Sequence, residues 1–207
     1  WAKKDQRRIS EGVRLLSRYL FFIIIPPALA IFIFSKPLIQ VFFGESYAAG
    51  ALALQILVIG LLFYVVAGVN LGLITAIGEP KLVAKIIVIA AAINTAMNIL
   101  LIPRFGIEGA AFTTALSYLV ILVLSTRKII YFFQVRFPYD IWIKLIFAGL
   151  AFMAVVYGAQ QFLPFSAIVE AIIALLLALL TYILIAFYVK IIDWEEIKRY
   201  GKLVMKR

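Results

Sequence analysis

Charged and polar side chains are rare in the interior of this sequence, so those that interrupt its apolar runs are the natural candidates for chemistry. Asn94 and Asn98 stand four residues apart, which puts two amides on one face of a helix. Thr113 with Ser117, and Thr114 with Tyr118, repeat that spacing further on, and Asn70 and Thr75 lie next to Gly68 and Gly72. Groups of this kind neither ionise nor attack; they donate and accept hydrogen bonds. Asn70, Asn94, Asn98, Thr113, Ser117 and Tyr118 could therefore line a hydrophilic path that meets a hydroxyl-rich ligand. The same residues could instead join helices, since small residues permit close approach and Asn or Thr bonds across the contact.

Other chemistry is largely excluded. There is no Cys and no His, which removes disulfides, thiolate nucleophiles, imidazole acid–base catalysis and the usual zinc ligands. Lys36, Glu45, Glu79, Lys85, Arg104, Glu108, Lys144 and Glu170 all fall at or near the ends of apolar runs, where long side chains reach water. No carboxylate sits in mid-run, where an ion-coupled antiporter would place one. The connecting segments are too short and too poor in Asp, Glu and Arg for an interfacial enzyme, so no catalytic residue, cofactor or metal is expected.

The elements that position these groups follow from composition. Of 207 residues, 66% are hydrophobic and 14% charged, and the mean hydropathy is +1.11. A soluble domain of this size cannot hide so much apolar surface. An all-α, polytopic membrane protein is expected, with six transmembrane helices at about 19–43, 48–77, 81–102, 107–132, 141–162 and 167–190. Helices are required because an open sheet leaves backbone groups unpaired in lipid. Gly44-Glu45-Ser46, Gly78-Glu79-Pro80, the stretch from Pro103 to Gly106, Phe137-Pro138 and Pro164-Phe165-Ser166 punctuate the runs. Pro26-Pro27 removes two backbone donors inside the first run and predicts either a hinge or a packing kink.

The net charge of +10 is concentrated at the chain ends and in two loops, as at an anionic membrane surface rather than a nucleic-acid interface. With six spans, all of the 20 Lys and Arg except Lys36 and Arg104 fall on one side, which predicts a multi-pass protein of the cell membrane with both termini cytoplasmic. Residues 1–18 read as a basic amphipathic linker and 191–207 as a basic amphipathic tail. The chain begins at Trp1 rather than Met, so it is expected to be cut from a longer protein.

From Pro37 to Ser117 the order of features is distinctive. Phe42-Phe43-Gly44-Glu45-Ser46-Tyr47 follows one span, and Ala76-Ile77-Gly78-Glu79-Pro80-Lys81 the next. Then come Asn94, Asn98, Pro103, Gly106 and Gly109-Ala110-Ala111 with Thr113. This ordered set resembles the polysaccharide (O-antigen type) flippases of the multidrug/oligosaccharidyl-lipid/polysaccharide exporter superfamily.

The resemblance implies that the chain is the C-terminal half of a two-bundle transporter whose N-terminal bundle is missing. It implies a polyprenyl-pyrophosphate-linked glycan moved across the bilayer by alternating access, with no bond made or broken. It also asks for cations to meet the pyrophosphate, for which this chain offers Lys85 and Arg104 beside the polar spans. A drug or metabolite antiporter of the same superfamily, or a membrane scaffold without transport, remain the alternatives.

Overall fold

A computed structural model describes residues 6–133, 139–162 and 167–191, which are helical apart from short turns. Among the described residues there are six α-helices: α1 (Gln6–Ile33), α2 (Ser35–Phe43), α3 (Ala51–Ala76), α4 (Pro80–Phe133), α5 (Tyr139–Phe162) and α6 (Ala167–Tyr188), with a 3-10 turn at Glu45–Gly50. Five helical stretches among the described residues are long and apolar enough to cross a membrane: Ser10–Ile33, Glu45–Ala76, Pro80–Phe133, Asp140–Gln161 and Val169–Tyr188. The expected tail beyond Ile191 lies outside the described residues, as do residues 1–5 of the expected linker.

Five such stretches appear where six spans were expected, because the third and fourth expected spans belong to one helical stretch of 54 residues. Its backbone leaves helical geometry at one residue, Gly106 (φ 55, ψ −133). Left straight, α4 would measure about 80 Å. It is not straight, because Thr113 hydrogen-bonds Asn98 and the Gly109 backbone lies against the Leu101 carbonyl. Contacts across 15 and 8 residues are impossible along a continuous helix, so the chain folds back between Pro103 and Gly106. We call residues 80–105 the first arm of α4 and 107–133 the second.

α1 departs from expectation in a different way. It runs without a break through residues 6–18 and through both Pro26 and Pro27. The interruption comes at Phe34, which caps α2. Pro37 supplies the reason: in a continuous helix its ring would meet the Ile33 carbonyl. In the first turn of a new helix its missing N–H is no loss, and the first bond of α2 runs from the Leu38 N–H to the Phe34 carbonyl at 2.9 Å.

The end of α3 is set by Gly78 (φ 89) in a Schellman motif. The Glu79 N–H reaches the Ile74 carbonyl at 3.2 Å and the Gly78 N–H reaches that of Thr75 at 3.0 Å. Pro80 then opens α4, where no donor is needed.

The chain forms two compact units, Trp1–Pro138 and Tyr139–Arg207. In the first, α3 packs chiefly on α4, with α1 also against α3. Gly60 meets Ala115, and Asn70 meets Ser125. Ten residues of advance on α3 thus match ten on the second arm, so these two run parallel and the first arm runs in the opposite direction. The buried stripe on the second arm recurs every fourth residue: Gly109, Thr113, Ser117, Ile121, Ser125, Ile129 and Phe133.

The second unit is an α5–α6 pair. Leu145, Phe152 and Val156 are buried on α5, and Ala174, Ala178, Tyr182 and Ala186 on α6. Alanine at three of these four positions on α6 lets the two backbones approach closely. The Phe152 and Tyr182 rings meet edge to face, 6.4 Å apart. α6 closes in a second Schellman motif, in which Lys190 takes the left-handed position (φ 56) and Ile191 bonds back to Ala186 at 2.8 Å. The Lys144 ammonium donates to the Val189 carbonyl at 3.0 Å and satisfies another acceptor at this helix end.

Candidate functional site

The polar residues picked out in the sequence are gathered into two clusters, one by the fold-back of α4 and one by the α3–α4 packing. In the first, Asn98 is the link. Its Nδ2 donates to Asn94 Oδ1 at 3.0 Å, and its Oδ1 accepts from Thr113 Oγ1 across the fold-back. The Thr113 hydroxyl also lies 2.9 Å from the Ala110 carbonyl, and having one proton it can serve only one of the two at a time. Ser117 donates to the Thr113 carbonyl at 2.8 Å, and Thr114 to the Ala110 carbonyl at 2.9 Å.

In the second cluster, Asn70 Nδ2 reaches Ser125 Oγ at 3.3 Å and Thr126 Oγ1 at 3.0 Å. This ties α3 to the second arm. Tyr118 stacks on Tyr64, ring centroids 4.7 Å apart.

The candidates divide by accessibility. Asn70, Thr113 and Ser117 are buried, whereas Asn94, Asn98 and Tyr118 are half-exposed. Thr75 is exposed and bonds the Leu71 carbonyl of its own helix at 2.9 Å. Ser125, Thr126 and Tyr64, the partners of Asn70 and Tyr118, were not foreseen. The every-fourth-residue recurrence from Gly109 to Phe133 was the available signal for Ser125.

Lys85 and Arg104 are not brought together. Both lie on the first arm, 19 residues apart, which a helix spreads over about 28 Å. Lys85 instead shares a cavity with Arg127 and Lys128 of the second arm, two cations the sequence reading had used only for orientation.

The distribution of side chains defines the class. Ser17, Ser35, Asn70, Thr113, Ser117 and Ser125 are buried, while Ile99, Leu100, Phe147, Leu176 and Leu184 are each more than half exposed. A few small polar groups thus join a mostly apolar interior while large apolar side chains cover the outside of the described residues, and the stable surroundings for such a surface are lipid. The chain is a multi-pass membrane protein, and its candidate site is a set of uncharged hydrogen-bonding groups within its helices.

Comparison with known proteins places it further. The family described as the lipid II flippase MurJ matches residues 1–188. The uncharacterized membrane protein MJ1068 of Methanocaldococcus jannaschii is 30% identical over 207 residues, covering 100% of this chain and 41% of that protein. The probable low-salt glycan biosynthesis flippase Agl15 of Haloferax volcanii is 27% identical over 210 residues, covering 99% of this chain and 43% of that protein. The chain belongs to the lipid II flippase MurJ family, which bears out the flippase resemblance. It spans about two fifths of the length of these relatives.

Proposed function

We propose that this chain is part of a flippase that moves a lipid-linked oligosaccharide across the cell membrane during polysaccharide biosynthesis, and that it is not an enzyme. The observation that carries the reading is the family match over residues 1–188, joined by the likeness to a glycan-biosynthesis flippase over nearly the whole chain. The chemistry of the helices agrees with it. Moving a polar head group past lipid requires hydrogen-bonding groups in a membrane protein and no nucleophile, and Asn94 and Asn98 offer such groups in a half-exposed position.

In this reading α4 crosses the bilayer twice. The hydrocarbon core is about 30 Å thick, so each arm is long enough for one crossing and the 54-residue whole is too long for one. With α1–α2, α3, the two arms, α5 and α6, the chain then makes six crossings. Lys81, Lys85, Arg127 and Lys128 fall on one side and Arg104 on the other, which assigns the cation-rich side and both termini to the cytoplasm. The chain supplies one half of a two-bundle transporter, and the glycan passes between bundles by alternating access. Asn94 and Asn98 border its path, while Asn70, Thr113 and Ser117 hold the helices that shape it.

The test is transport of a fluorescent polyprenyl-pyrophosphate oligosaccharide by the full-length protein in vesicles. Joint replacement Asn94→Leu and Asn98→Leu should slow flipping at least about tenfold. Asn98 also bonds Thr113, so Thr113→Val is the reference for lost packing. If the double variant flips as fast as wild type, these amides do not border the path. If Thr113→Val is slowed equally, their role is structural.

A further inference from the structure

At the end of α4 remote from Arg104, the two arms border a half-open cavity of about 440 Å³. Lys85 lines it from the first arm, and Arg127 and Lys128 from the second. Among the described residues no carboxylate lines it, and the rest of the wall is apolar apart from Tyr131. Leu82 and Ile89 lie within one turn on either side of Lys85, and Leu124 one turn from Arg127. The Tyr131 ring is exposed and sits 5.9 Å from the Lys128 ammonium, in cation–π range.

Three cations around one opening repel one another unless an anion lies among them. Residues 85 and 127 meet only because α4 folds back, so the cluster is a product of the tertiary structure. A purely aqueous anion would have no use for the apolar wall, whereas a lipid uses both parts. Its phosphate meets the cations and its chain lies along Leu82 and Ile89. Basic pockets between membrane helices on the cytoplasmic side take anionic headgroups on these grounds.

We propose that this cavity is a binding site for the phosphate headgroup of an anionic phospholipid of the cytoplasmic leaflet. Mass action favours the abundant bulk lipid over a scarce carrier lipid, since occupancy follows concentration over dissociation constant. In that site Arg127 grips the phosphate through paired N–H donors, and Lys85 and Lys128 contribute as point charges. The bound lipid would bridge the two arms and steady the fold-back at the membrane surface. The choice of leaflet rests on the orientation proposed above, but the site itself requires only helices lying in a bilayer and not glycan transport, so failure of the transport reading leaves lipid binding standing.

The experiment is native mass spectrometry of the full-length protein titrated with phosphatidylglycerol or phosphatidylcholine, with inorganic pyrophosphate as a soluble competitor. Wild type should retain phosphatidylglycerol in preference to phosphatidylcholine. The triple variant Lys85→Gln, Arg127→Gln, Lys128→Gln should bind phosphatidylglycerol at least about tenfold more weakly. The charge-keeping triple Lys85→Arg, Arg127→Lys, Lys128→Arg should hold it, as should Lys36→Gln with Arg104→Gln. Equal retention of both lipids by wild type overturns the proposal. So does unchanged binding by the Gln triple, or displacement of the lipid by equimolar pyrophosphate, which would mark a site for free phosphate. If the Gln triple does not fold, the single variant Lys85→Gln and the two wild-type arms decide.

Discussion

Gly60 offers the sharpest test of how α3 and α4 pack. A β-carbon built there would stand 2.7 Å from the Ala115 α-carbon and 2.8 Å from its β-carbon. Carbon atoms in contact sit about 3.5–4.0 Å apart, so Gly60→Ala must push the helices apart by about 1 Å or distort one of them. Overpacking of this kind costs about 1–3 kcal/mol. The intrinsic preference of a helix for Ala over Gly returns about 1 kcal/mol, leaving a net loss of up to about 2 kcal/mol. Gly68 and Gly72 lie on the same helix with nothing within 4 Å, so Gly68→Ala and Gly72→Ala gain the propensity and lose no packing. The assay is unfolding of the full-length protein in mild detergent, measured as thermal midpoint and as equilibrium denaturation. Gly60→Ala should unfold earlier than wild type, and the other two at the same point or later. Adding Ala115→Gly to Gly60→Ala should recover only part of the loss, because the Ala115 α-carbon stays in place. If all three glycine variants behave alike, the close approach at Gly60 is not there and the assignment of this contact is refuted.

Two other substitutions probe the same packing. Gly106 adopts a backbone conformation open in practice only to glycine, so Gly106→Ala should cost about 1–3 kcal/mol with no steric clash to blame, since nothing lies within 4 Å of the position. Equal stability of this variant and wild type in the same denaturation assay would show that the fold-back does not depend on that conformation. Asn70→Leu removes two bonds that join α3 to the second arm, and polar contacts between membrane helices are worth about 0.6–1.7 kcal/mol. A double-mutant cycle of Asn70→Leu with Thr126→Val should show a coupling energy in that range, and additive effects would mean the two side chains do not interact.

Much was legible in the sequence because lipid imposes a simple rule. An apolar run long enough to cross a bilayer has to be helical, and Gly or Pro must stand where it stops. The expected segments at 48–77, 141–162 and 167–190 accordingly overlie α3, α5 and α6 to within a few residues. The turn at Gly78-Glu79-Pro80 falls where its residue types demand. Between Pro103 and Gly106 the sequence located the reversal, while the structure showed it to be tight enough that helical bonding lapses at Gly106 alone. Pro26 and Pro27 lie inside α1 without ending it, whereas the helix breaks just ahead of Pro37.

What sequence alone left undecided was partnership. Helical spacing tells which residues share a face, but not which face of which neighbour they meet; that depends on how the helices cross and in what register. So Gly60 looked like Gly68 and Gly72, although it alone of the three touches another helix. Asn70 and Asn98 were both candidates for a polar path, yet one is sealed between α3 and the second arm and the other is half-exposed. Lys85 seemed to belong with Arg104 on its own helix, and only the fold-back placed it beside Arg127 and Lys128. Sequence determined the solvent, the helices and their ends, because these depend on local chemistry. Tertiary structure decided the contacts, because they depend on residues separated along the chain, up to 56 positions for Asn70 and Thr126, arriving at the same point in space.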